Sequence, residues 1–119
     1  MNFDHPNLLT ELENATTGAL DAADFGVVRM KGDGAVLAYN VYESRLSGLS
    51  PESVVGKNFF TQVAPCTNNF MVAERYQASE ALDAMLDYVF TYKMKPTKVR
   101  LRLLKRAGAV EQYLAVVKV

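Results

Sequence analysis

The sequence predicts an α+β fold, a central antiparallel sheet of about five strands with short helices on its face. Three observations carry this. Two apolar segments flank a tight turn near the start of the chain. A run of helix-start signals fills the middle. Three alternating segments then close the chain. Strands, then helices, then strands is the layout of an antiparallel sheet covered by helices, not of alternating βαβ units.

Residues 7–14 predict one short amphipathic helix, with Leu8, Leu9 and Leu12 on a common face small enough to dock weakly. A Gly- and Ala-containing stretch with no clear element follows. Residues 25–39 read as a β-hairpin, because Gly32-Asp33-Gly34 is a turn signal between Phe25-Gly26-Val27-Val28-Arg29-Met30 and Val36-Leu37-Ala38-Tyr39. Asn40 can cap a helical piece over 41–46. Ser50-Pro51-Glu52 is a second helix start, with Ser as cap, Pro at the first position and acid in the first turn. Phe59 to Val63 can form a single turn before Pro65. The spacing of Met71, Ala78, Leu82 and Met85 predicts the longest helix over 72–86. Strands are expected over about 87–92, 98–105 and 112–118, with Pro96 in the connection between the first two.

At 119 residues, 50% hydrophobic, the chain can build one core. Its thirteen basic and thirteen acidic residues balance, so it lacks the basic excess of a nucleic-acid binder. Lys98, Arg100 and Arg102 alternate with Val99, Leu101 and Leu103, which reads as a strand with a wet outer face. No apolar run approaches the ~18 residues of a membrane span. The N-terminus has neither a basic nor an apolar signal region. A cytoplasmic protein that binds neither nucleic acid nor membrane is expected.

Cys66 is the only cysteine and His5 the only histidine, so neither an intrachain disulfide nor a four-ligand Cys/His zinc site can form. A lone thiol is a buried packing group, a nucleophile or an attachment point. A nucleophile needs a base, and His5 sits beside Pro6 in an N-terminal segment expected to be mobile and solvated. Tyr39 and Glu43 are four apart. If Asn40 starts a helix, both can point into one space, although the same spacing suits a half-buried Tyr beside a solvated Glu.

Three segments in order narrow these alternatives. They are Gly-Asp-Gly-x-x-Leu-x-Tyr-Asn over 32–40 leading to Glu43, Val-x-Gly-Lys-Asn-Phe-Phe-x-x-Val-Ala-Pro-Cys-Thr over 54–67, and Tyr88-x-Phe90-x-Tyr92-x-Met94-x-Pro96-Thr97-Lys98-Val99. Together they resemble the photoactive yellow proteins, blue-light receptors with the PAS fold. The likeness runs from about Phe25 to the C-terminus and is weaker before it. Residues 1–24 are therefore read as an N-terminal helical cap and 25–119 as a PAS-like chromophore-binding core, one domain overall.

The resemblance implies a covalent cofactor, p-coumaric acid (4-hydroxycinnamic acid), as a thioester on Cys66. It implies that Tyr39 and Glu43 hydrogen-bond the phenolate oxygen, with Ser47 supporting Tyr39 where the family usually has threonine. The Cys66 N–H would bind the chromophore carbonyl. Phe59, Val63, Ala64, Thr67, Phe90, Tyr92 and Met94 would line the pocket, Met94 also assisting thermal return to the dark state. Glu43 would be the proton donor after trans–cis isomerisation. The implied role is a non-enzymatic photoreceptor, a monomer or weak dimer acting on a downstream signalling protein that the sequence does not name.

The chain departs from the family pattern at Leu49, where many members have an arginine. Tyr42 and Ser44 replace smaller residues, and about three residues are missing between Ala78 and Met85, shortening the long helix. Arg45 reads as a solvated charge rather than a substitute for the arginine. The alternatives are a cofactor-free PAS sensing or interaction module and, last, a cysteine-dependent enzyme.

Overall fold

The computed structural model describes residues 1–91 and 95–119. Five strands form one antiparallel sheet in the order β2-β1-β5-β4-β3: β1 Gly26–Lys31, β2 Val36–Tyr39, β3 Leu82–Phe90, β4 Thr97–Lys105 and β5 Glu111–Lys118. β1 and β2 form the expected hairpin. Its turn is closed by Gly34 at φ +95°, a conformation that favours glycine, and by Asp33 accepting from the Ala35 N–H at 2.9 Å.

Period-two alternation sends alternate residues of each strand to opposite faces. Val28, Met30, Phe90, Val99, Leu101, Leu103, Leu114 and Val116 pack on the inner face. There they meet the connecting segments: α3 Val41–Ser47, α4 Pro51–Val54, a π-turn Phe59–Val63, a 3-10 turn Pro65–Thr67 and α5 Ala73–Ala78. On the outer face Val27, Leu104, Tyr113 and Ala115 form a second core with Phe3, Leu8, Leu12, Leu20 and Phe25. The N-terminal segment therefore docks more firmly than the small Leu8/Leu9/Leu12 face implies.

That segment holds two helices, α1 Leu8–Glu13 and α2 Thr17–Ala22. The sequence reading leaves α2 unassigned, because six residues that include Gly18 make a weak helix. Thr16 starts it by accepting from the Ala19 N–H at 3.1 Å. Elsewhere the caps fall where expected: Asn40 accepts from the Glu43 N–H at 3.1 Å and Ser50 from the Ser53 N–H at 3.2 Å.

The helix expected over 72–86 is a correction. Only Ala73–Ala78 is helical, and Leu82 opens a nine-residue strand. Leu82, Ala84, Leu86, Tyr88 and Phe90 alternate with the exposed Asp83, Met85, Asp87 and Val89, so period two overrides the step of three and four. The Lys105 ammonium also closes α5 by donating to the carbonyls of Tyr76 and Ser79, at 2.6 and 3.0 Å.

The outer face of β4 is a second correction. Arg102 is only 4% exposed. Its guanidinium pairs with both Asp83 oxygens at 2.8 and 2.9 Å and donates to the carbonyls of Phe3 and His5 at 2.9 and 2.8 Å. Arg29 donates to the Leu12 carbonyl at 2.9 Å, and Arg106 pairs with Glu13 at 2.8 Å. The segment around His5, expected to be mobile, is thus tied to the sheet. Among the described residues no helix is long and apolar enough to cross a membrane.

Arg102 holds the Asp83 carboxyl below its ordinary range, chiefly by hydrogen bonding. A lowered folded-state value contributes stability above the unfolded value of about 3.9 and loses it as pH falls through the folded value. Asp83→Asn should therefore cost on the order of 1 kcal/mol at pH 6, because the pair is partly exposed. In urea unfolding the gap from wild type should close toward pH 2.

Candidate functional site

The site is built where β2 runs into α3. Tyr39 ends β2, Asn40 caps α3, and Glu43 and Ser47, one turn apart, both face inward. Tyr39 and Ser47 are buried and Glu43 is 0% exposed, which excludes the solvated-Glu reading of the i, i+4 spacing. The Tyr39 hydroxyl donates to Ser47 Oγ at 2.8 Å, and the Leu49 N–H donates to the same oxygen at 3.1 Å. Both acceptor positions of Ser47 are filled, leaving its own proton to donate. If the Tyr39 proton turns toward another acceptor, Ser47 can reverse and donate to Tyr39.

Asn40 does more than cap. Its Oδ1 accepts from the N–H groups of Val27 and Glu43, at 2.9 and 3.1 Å. Its Nδ2 donates to the carbonyls of Leu20 and Phe25, at 2.8 and 2.9 Å. One buried carboxamide thus joins α2, β1 and the first turn of α3. The sequence reading finds Asn40 as a cap and misses the other links, which depend on residues 13 to 20 positions away.

Cys66 lies half-buried in the 3-10 turn, packed against the inner core. Thr67 closes the turn, its hydroxyl donating to the Ala64 carbonyl at 2.7 Å. The Cys66 carbonyl accepts from the Tyr88 hydroxyl and from Asn69 Nδ2, the latter at 3.1 Å, and Asn69 also donates to the Tyr88 oxygen at 2.7 Å. The carbonyl that follows the thiol is therefore held from β3 and from its own loop. Neither Tyr88 nor Asn69 is among the expected site residues. Tyr88 belongs to a segment the sequence reading singles out, but nothing local marks its partner.

A cavity of about 350 Å³ opens beside the thiol, lined by Ser47, Leu49, Gln62, Val63, Ala64, Pro65, Cys66 and Thr91. That is within the roughly 300–1,000 Å³ of small-molecule sites. Ser47, Val63, Ala64 and Cys66 thus line one cavity. Phe59 and Phe90 are buried in the core behind it with Tyr39, and Thr67 is buried with its hydroxyl committed to the turn. Tyr92 and Met94 lie outside the described residues. Leu49 makes part of the lining apolar, and Arg45 is exposed. A larger groove of about 630 Å³, lined by Asp21, Asp24, Tyr42, Arg45 and Lys118 among others, contains no thiol. His5 cannot serve Cys66 as a base: its carbonyl is bound by Arg102 on the outer face of the sheet, whereas Cys66 packs on the inner face.

No family model matches the chain. Among individual proteins it is 40% identical to the photoactive yellow protein of Rhodothalassium salexigens over 91% of each chain. It is 37% identical to that of Halochromatium salexigens over 99% of this chain and 96% of that one. The crystal structure of the photoactive yellow protein domain of the sensor histidine kinase Ppr from Rhodospirillum centenum superposes with a TM-score of 0.84. That pair is 38% identical, covering 92% of this chain and 98% of that one. The PAS domain of an HTR-like protein from Haloarcula marismortui, 13% identical, shares the fold with a TM-score of 0.66.

Sheet order and the helices packed on its inner face define a PAS fold. The chain belongs to the photoactive yellow protein family and is a photoreceptor.

Asn40→Ala removes four side-chain hydrogen bonds and leaves buried backbone groups without partners. It should cost about 2–4 kcal/mol in urea unfolding. Amide exchange should rise in both α2 and the first turn of α3, because both lose the same partner.

Proposed function

We propose that the protein is a blue-light receptor that carries p-coumaric acid as a thioester on Cys66 Sγ, with Tyr39 and Glu43 holding the phenolate end. The observation that carries this is the shared cavity: Cys66 and Ser47 line one space, and Ser47 accepts from Tyr39 one turn after the buried Glu43. A thiol and a buried hydroxyl–carboxyl cluster meeting the same cavity suit an elongated acid with a phenol at its far end. When bound, the group supplies visible absorption, trans–cis isomerisation and a phenolate able to take up a proton.

The chain's own residues do the rest. Tyr39 turns its proton to the phenolate and receives one from Ser47. Glu43, held in the interior, is favoured as the neutral acid, since burial penalises a carboxylate and a neighbouring anion penalises it further. With Leu49 supplying no cation, these donors bear the buried negative charge. The 3-10 turn Pro65–Thr67 would turn the Cys66 N–H toward the thioester carbonyl. Loss of the Glu43 proton would leave a carboxylate in an apolar interior, which is costly unless the surroundings rearrange.

The Glu43 N–H ends on Asn40, and Asn40 reaches Leu20 in the N-terminal segment. Residues 1–24 are accordingly the cap that loosens on illumination, and 25–119 the core that binds the chromophore. We place the protein in the cytoplasm, as a monomer or weak dimer that signals to a separate protein and binds neither nucleic acid nor membrane.

Two experiments test this reading. Incubation with an activated p-coumaroyl thioester should turn the wild type yellow. Denaturing mass spectrometry should place one adduct on Cys66 and none on a folded Cys66→Ala variant. An adduct elsewhere, or a colourless wild type, would contradict the assignment. Glu43→Gln should retain the adduct but absorb at longer wavelength, since an amide is the weaker donor and leaves more charge on the phenolate oxygen. Light-induced hydrogen exchange over residues 1–24 should fall in the same variant, because Gln has no proton to release.

A further inference from the structure

We propose that Gly26 is a positioning residue for Glu43, its missing side chain forming the seat on which the Glu43 carboxyl rests. The role toward the chromophore rests on the function proposed above. The seat itself does not.

Gly26 opens β1 and pairs with Val116 of β5, on the face that carries Val28 and Met30. Glycine weakens a strand, and in a strand it often marks a close approach of other atoms. Its φ is not in the left-handed region, so the backbone conformation does not demand glycine. Space does. A Cβ at residue 26 would lie 2.6 Å from Glu43 Oε1, 3.2 Å from its Cδ and 3.3 Å from its Cβ. The three nearest obstructing atoms all belong to Glu43.

The backbone cannot readily yield. The Phe25 carbonyl and the Val27 N–H, on either side of Gly26, are both bound by Asn40, which also binds the Glu43 N–H. The nearest obstructing atom, Oε1, is at the far end of a flexible side chain, so the carboxyl is the group that moves. At 0% exposure it moves within the protein rather than out to solvent. A methyl group at residue 26 therefore displaces the Glu43 carboxyl while leaving the sheet register in place.

The test follows the Glu43 carboxyl carbon by NMR in ligand-free protein labelled with 13C at glutamate carboxyls. The resonance is assigned by its loss in Glu43→Gln. Gly26→Ala should shift this resonance and its titration midpoint while the other glutamates stay put. After loading, Gly26→Ala should move the visible band to longer wavelength, as Glu43→Gln does. The double variant Gly26→Ala/Glu43→Ala should absorb where Glu43→Ala alone absorbs. An unmoved Glu43 resonance would overturn the proposal, and so would equal band shifts in the wild-type and Glu43→Ala backgrounds. If Glu43→Gln itself leaves the band unmoved, the chromophore role of Glu43 fails and the ligand-free resonance alone decides on the seat. Should Gly26→Ala fail to fold, a folded Gly26→Ala/Glu43→Ala supports the seat, and a double variant that also fails overturns it.

Discussion

The buried carboxamide of Asn40 is the constraint on which the other parts depend. A carboxamide has two donors and two acceptor positions, and here all four are used on backbone groups of three elements. It starts α3, which sets the angle at which Glu43 and Ser47 enter the interior. It fixes the first residues of β1 and so the surface against which Glu43 packs. It also reaches α2, on the other side of the hairpin. A hydrophobic residue at position 40 would fill the volume but satisfy none of these groups, and an unpaired buried peptide group costs about 1–3 kcal/mol.

The sheet separates two tasks. Its inner face carries the thiol, the cavity and the tyrosine–serine–glutamate cluster; its outer face carries the N-terminal segment. Arginines on the outer face bind backbone carbonyls of that segment, through Arg102 at Phe3 and His5 and through Arg29 at Leu12. Docking therefore combines apolar burial with charged hydrogen bonds. Such a segment stays attached at rest, yet it has a defined set of contacts to lose. The Asn40 link joins this docking to the backbone of Glu43, which is the route by which the proposed charge change at that carboxyl would reach both faces.

Much of this was legible in the sequence, for reasons that differ by element. The hairpin was marked by Gly32-Asp33-Gly34, and α3 and α4 by Asn40 and by Ser50-Pro51, because turns and caps are local chemistry. The start of β3 reads as the end of a helix because Met71, Ala78, Leu82 and Met85 fit helical steps, and this masks the alternation that runs from Leu82 to Phe90. Arg102 looked solvated because its partners, Phe3 and His5, are nearly one hundred residues away. At the site, Tyr39, Glu43 and Cys66 stand out by their segments and Ser47 by the family likeness, and the structure adds that Ser47 and Cys66 line one cavity. Tyr88, Asn69 and Gly26 were missed as site residues. Their roles are contacts across the fold, and no spacing within a single segment encodes those.

The proposed photocycle requires Glu43 to be a neutral acid at rest and to give up its proton on illumination. A light-minus-dark infrared difference spectrum of the reconstituted protein tests it most directly. One buried carboxylic-acid C=O absorption should be lost and a carboxylate gained, with both changes missing in Glu43→Gln. A spectrum with no carboxyl change, or with the same change in Glu43→Gln, would contradict it.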